Sequence, residues 1–93
     1  IIINIVLNNV QNMNNSIKYK QSFAEALNVK IDVVKESLKY NEIDEWDSIG
    51  HMTLISKLEE EFNISMETDD IVNFDSFKTG IDILKKNYDI KFD

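Results

Sequence analysis

Asp47, Ser48 and His51 are the residue types of a hydrolytic triad, and Glu42, Asp44, Glu45 and Asp47 could offer carboxylate oxygens to a calcium ion. Neither frame holds. The three triad types fall on one helix start, no strand precedes Ser48, and no Gly-x-Ser-x-Gly turn presents it. A calcium loop counted from Asp44 puts Trp46 at its third position and Ile55 at its twelfth, where oxygen ligands belong. No catalytic residue and no metal site is therefore expected, and the acidic run reads as a solvated loop.

What remains is Ser48 as a substrate. A serine at a helix N-terminus stands where unpaired backbone N–H groups and the helix dipole favour an anion, so a phosphodiester on its oxygen would sit in a favourable field. The plainer alternative is that Asp47 or Ser48 is an N-cap, which stabilises by about 1 kcal/mol. Gly50 and His51 stand three residues after these two, so no capping box forms. Local physics leaves cap and attachment site open.

The helix that would present Ser48 is the clearest in the chain. At about 100° per residue, His51, Leu54, Ile55, Leu58 and Phe62 gather on one side of Ser48 to Phe62, as a core-facing stripe does. Ile49, Met52, Thr53, Ser56, Glu59 and Glu60 project to the other side. Ile49 and Met52 are thus apolar side chains on an otherwise polar and acidic face beside Ser48, and are read as a docking spot.

Around this helix the chain arranges three others. Ile17, Phe23, Ala24 and Leu27 predict a first helix over Ser16 to Leu27, with Asn28 suited to end it. About twenty residues follow, from Asn28 to Asp47, in which Ile31, Val33, Val34 and Leu38 are apolar anchors and Asp32 could cap a short turn. Thr68 is the expected cap of a short helix, Asp69 to Val72. Asp75 or Ser76 caps a last helix to about Lys86, with Phe77, Ile81, Leu84 and Tyr88 on one face. Gly80 within it marks a close helix contact. No strand pair is expected, and one core is expected to hold Leu54, Ile55, Leu58, Phe62, Phe77, Ile81 and Leu84.

Residues 1–15 are set apart from the domain at 16–93. Ile1 to Leu7 is almost wholly apolar, and Asn4, Asn8, Asn9, Asn12, Asn14 and Asn15 crowd the stretch. It is too short to span a bilayer, which takes about 20 residues, and lacks the basic start of a signal peptide. Val6, Val10 and Met13 continue the face of the first helix backwards; the alternative is a mobile or appended segment with Met13 as the start.

Composition narrows the function classes. The 93 residues are 43% hydrophobic and 29% charged, as in an ordinary globular domain. Ten basic against seventeen acidic residues give a net charge of -7, which repels a nucleic acid backbone and favours basic protein partners. The absence of cysteine removes disulfides, zinc knuckles and any protein thiol, and suits a cytoplasmic protein.

Trp46-Asp47-Ser48-Ile49-Gly50-His51-Met52, followed by Leu58-Glu59-Glu60-Glu61-Phe62, resembles the acyl carrier protein family, whose hallmark is Asp-Ser-Leu at the start of its second helix. The likeness covers roughly Ser16 to Lys86, and with Glu45 the motif looks like a subgroup of stand-alone carriers. The resemblance implies an all-α bundle of three main helices plus a short third helix, with a long loop between helices one and two. It implies that Ser48 receives 4'-phosphopantetheine from coenzyme A through a separate phosphopantetheinyl transferase. The arm would hold an acyl or aminoacyl group as a thioester on a thiol the chain itself lacks.

By the same matching, Asp47 belongs to the transferase recognition motif, Ile49 and Met52 meet partner enzymes, and Glu59 and Glu60 add acidic recognition. The implied partners are an acyl- or aminoacyl-activating ligase and acyltransferase or synthase enzymes, served by a monomer that does not insert into membranes. Ile49 stands for the usual leucine. Gly50, His51 and Thr53 stand where carriers of primary fatty acid synthesis tend to have acidic residues or small hydroxyls, which points to a specialised carrier. The competing class is a non-carrying helical interaction module that uses the Ile49 and Met52 face.

Overall fold

The computed structural model describes residues 2–92, with side chains from residue 15 onward. Four α-helices follow one another: α1 (Ile2–Leu27), α2 (Ser48–Phe62), α3 (Thr68–Asn73) and α4 (Phe77–Tyr88), with a 3-10 turn at Ile31–Val33 in the long connection before α2. The fold is all-α. An isolated antiparallel bridge, Lys39 to Ser76, is the one extended pairing among the described residues.

The three long helices end alike. Asn28, Asn63 and Asp89 take left-handed backbone angles, with φ of 56°, 54° and 55°. These short polar side chains tolerate that conformation where glycine is more usual. The following N–H then reaches back to a carbonyl of the last turn: Val29 to Ala24, Ile64 to Glu59 and Ile90 to Leu84, at 3.0 to 3.1 Å. At the other ends, Asp47 Oδ1 accepts from the Gly50 N–H and Ser76 Oγ from the Thr79 N–H, so α2 and α4 are capped by side chains.

Several boundaries differ from the sequence expectation. The first helix begins at Ile2 rather than Ser16, in line with the reading that carries it backwards through residues 1–15; the side chains of Val6, Val10 and Met13 lie outside the described residues. Helix α3 is capped by the backbone of Glu67 without a side-chain bond, and Thr68 is its first residue. Lys30, not Asp32, precedes the 3-10 turn. Helix α4 runs two residues past Lys86.

The core is more aromatic than the apolar stripes imply. Tyr19, Phe23, Trp46, Phe74 and Phe77 are buried together with Leu54, Ile55, Leu58 and Leu84. Tyr19 takes the place expected of Ile17, which is 52% exposed. Two residues apart on a helix, they point to nearly opposite sides, so only one of them can face the core. Tyrosine wins because its hydroxyl finds a buried acceptor, the Phe77 carbonyl at 2.7 Å. Burial chiefly, and then Asp82, pushes the Tyr19 phenol well above its ordinary range. Phe62 and Ile81 pack at the margin, half-buried.

The long connection is pinned across the bundle by Val34, Leu38 and Trp46, all buried, while Ile31 and Val33 face outward. Its backbone docks on the start of α4: Tyr40 N–H donates to Asp75 O and Phe77 N–H to Leu38 O, each at 2.9 Å. Near α2 it folds tightly, with Asn41 at φ 68° and its N–H bonded to the Trp46 carbonyl at 2.9 Å. Two glycines allow close approach. A Cβ on Gly50 would strike the Glu45 carbonyl, and one on Gly80 would strike the Phe74 ring and the Tyr19 hydroxyl. Gly80 does mark a close contact.

Candidate functional site

Ser48 is the first residue of α2 and its side chain is exposed. Asp47 does the capping, its Oδ1 2.8 Å from the Gly50 nitrogen. The alternatives left open by local sequence are therefore divided: Asp47 holds the helix start, and Ser48 presents a hydroxyl at its rim. The first turn contains no acidic residue, and the Asp47 carboxylate at the cap is the anion set against the positive end of the helix dipole beside Ser48.

His51 does not serve Ser48 as a base. Trp46 Nε1–H donates to His51 Nδ1 at 3.0 Å. An indole nitrogen only donates, so Nδ1 carries the lone pair and the proton sits on Nε2. That nitrogen is 2.9 Å from the Ile71 carbonyl and donates to it. Both ring nitrogens are thus committed to the fold, and the ring is half-buried rather than fully in the core, nearly coplanar with Trp46 at an interplanar angle of 20°. Its neighbour Gly50 packs under the loop carbonyl of Glu45.

Beside Ser48 lies a groove of about 330 Å³, lined by Tyr40, Ser48, His51, Met52, Ile71 and Val72 with Phe74 and Asp75. Apart from the Ser48 and Asp75 ends its walls are apolar or aromatic. Ile49, next to Ser48 in the chain, is 77% exposed, and the groove-lining Met52 (51%) and Val72 (73%) are exposed as well. The first two are those singled out by periodicity. Val72, on a helix of six residues, was not legible because so short an element shows no face of its own.

Helix α3 forms the far wall and is held at few points. Tyr88 accepts from the Glu67 N–H at 2.7 Å and donates to Asp70 Oδ2 at 2.6 Å, while Asn87 donates to Asp70 Oδ1 at 2.9 Å. Burial chiefly, with the bond to Asp70, raises the Tyr88 pKa. Ile71 adds the bond from His51 to its carbonyl and packs its side chain against the core.

Glu59 and Glu60 differ in circumstance. Glu60 is exposed, whereas Glu59 is half-buried and its Oε2 accepts from the Met66 N–H at 2.8 Å, bracing the turn after α2. Among the described residues no group of three or more metal-binding side chains is placed to hold an ion, and no helix is long and apolar enough to cross a membrane. No family model and no curated protein matches the chain.

Proposed function

We propose that the chain is an acyl carrier protein that bears 4'-phosphopantetheine on Ser48. The observation that carries this reading is an exposed serine on the first turn of α2, capped by its neighbour and opening onto an apolar groove between α2 and α3. The group fits the residues present: the hydroxyl is accessible, the helix dipole favours a phosphodiester there, and the groove offers apolar walls for a tethered chain. When attached, the group supplies the thiol that carries the cargo. With His51 committed to Trp46 and Ile71, the proton of the Ser48 hydroxyl is taken by the transferase.

In this reading the helices have the acyl-carrier arrangement, Asp47 and the start of α2 are read by the transferase, and Ile49, Met52 and Glu60 meet partner enzymes. Those partners are an activating ligase and acyltransferase or synthase enzymes of a lipid, polyketide, peptide or surface-polymer pathway in the cytoplasm, and the carrier acts as a monomer. The front of α2, with Gly50, His51 and Thr53 in place of acidic residues, favours a specialised pathway over primary fatty acid synthesis. The exposed trio of Ile49, Met52 and Val72 would also serve a non-carrying interaction module.

Intact mass separates the two. After incubation with coenzyme A and a broad-specificity phosphopantetheinyl transferase, the carrier gains the mass of one phosphopantetheine group. An unchanged mass supports the interaction module instead.

A further inference from the structure

A second cavity, of about 280 Å³, is enclosed by α1, the long connection, α4 and the residues that follow α4. It shares no lining residue with the groove beside Ser48. We propose that this cavity is a binding site for a short-chain monocarboxylate, with the hydrocarbon inside and the carboxylate held at the mouth by Lys20 and Lys85.

The walls suit an apolar group. The buried Tyr19, Val34 and Phe77 line the cavity together with the half-buried Ile81 and Phe92. The one polar atom that these five side chains carry, the Tyr19 hydroxyl, already donates to the Phe77 carbonyl at 2.7 Å, so the walls hold no polar group in want of a partner. Phe92 is fixed in place. Its ring is edge-on to Tyr19 at 5.6 Å and tilted against Phe62 at 6.2 Å, and the neighbouring Lys91 carbonyl accepts from the Asn15 amide at 2.9 Å. A volume of about 280 Å³ falls just below the range of about 300–1,000 Å³ usual for small-molecule pockets, so the hydrocarbon it takes is short.

Charge at the cavity selects the head group. Lys20 from α1 and Lys85 from α4 line it together, as does Glu36 from the long connection, and all three are exposed. The ion pairs among the described residues are Lys57 to Glu25 and Lys91 to Asp89, so none of the three is neutralised by a partner there. A lysine keeps its ammonium in water while its stem covers apolar surface, which sets the two cations at the mouth and not among the rings. Two cations against one anion leave a single positive charge, in a chain whose net charge is -7. That excess matches a monoanion, whereas a dianion such as phosphate would meet Glu36 with a charge to spare and gain nothing from the apolar walls. Lys85 stands in the last turn of α4, where it also offsets the helix dipole. Lys86 serves that helix end equally and does not line the cavity, so the dipole alone does not account for the placing of Lys85.

The test uses the full chain without an arm, so its outcome is separate from whether Ser48 is modified. Octanoate is titrated while methyl and aromatic signals are followed by NMR. The Val34 and Ile81 methyls should shift and saturate, with intermolecular Overhauser contacts from octanoate to the Phe77 and Phe92 rings. Octylamine, of the same length and opposite charge, should leave these signals unmoved. Lys20→Gln combined with Lys85→Gln alters two exposed residues, so the fold is kept, and should weaken octanoate about tenfold, as the loss of two solvent-exposed ion contacts implies. No saturable shift with octanoate, contacts at Met52 and Val72 in place of Phe77 and Phe92, equal shifts with octylamine, or undiminished binding by the double glutamine variant would overturn the proposal.

Discussion

The Tyr19 hydroxyl donates to the Phe77 carbonyl across 2.7 Å at the centre of the bundle, tying α1 to the first residue of α4. The same ring lies edge-on to Phe23 and Phe77, with centroids 5.0 and 4.9 Å away. One side chain thus supplies both aromatic packing and a polar tie.

Tyr19→Phe should keep the packing and lose the tie, at a cost of about 1 kcal/mol in denaturant unfolding. The pH dependence follows from the raised phenol pKa. The folded value lies above the unfolded one, so the stability it contributes is complete below about pH 10 and is lost as pH rises through the folded value. Tyr19→Phe should therefore lose less stability than the wild type on going above about pH 10. Parallel alkaline profiles of the two would contradict this account of the buried phenol.

Gly50→Ala sets two effects against each other. Alanine favours the helix by up to about 1 kcal/mol, but its Cβ meets the Glu45 backbone carbonyl and crowds a Leu27 methyl at 3.2 Å. Backbone cannot turn aside as a side chain can, so overpacking of about 1–3 kcal/mol prevails and the variant is destabilised. Because Trp46 follows Glu45, its emission should shift in the folded variant. A stabilised protein with unaltered emission would show that the loop does not seat on residue 50.

Tyr88→Phe removes the acceptor of the Glu67 N–H and the donor to Asp70 in one step. Amides of α3 should exchange about tenfold faster, as the loss of one to two hydrogen bonds implies, with α2 nearly unaffected. Uniform acceleration across all helices would mean that α3 does not open on its own.

Ile49→Glu changes a residue that is 77% exposed, so unfolding stability should stay within about 0.5 kcal/mol of the wild type. Transfer of the arm or loading of cargo should nevertheless slow if this face meets partner enzymes. Rates unchanged with every partner tried would remove Ile49 from the docking face.

Where one long periodicity decides the fold, the sequence was readable: α2 has the bounds expected of it, and Leu54, Ile55 and Leu58 are buried as its stripe implies. In the sequence Trp46 stands out only as a misfit in a calcium loop and as part of the family motif, because a residue in an irregular loop has no period to reveal its burial. An apolar count selects Ile17 over Tyr19, since it cannot foresee the acceptor that lets a tyrosine go inside. The site was legible by residue type at Ser48, Ile49 and Met52, but not by circumstance. Gly50 and His51 read as altered charge on the front of α2, whereas in the fold they are held by the Glu45 carbonyl and the Trp46 indole. Those contacts join residues whose sequence spacing carries no signal of the loop that brings them together.

The central claim is a covalent bond at Ser48, and fragment-resolved mass spectrometry addresses it most directly. Wild type and Ser48→Ala are incubated with coenzyme A and a broad-specificity phosphopantetheinyl transferase, then fragmented to locate any added mass. The account predicts one phosphopantetheine group on Ser48 in the wild type and none in Ser48→Ala. No gain in the wild type, or an equal gain in the alanine variant, would contradict it.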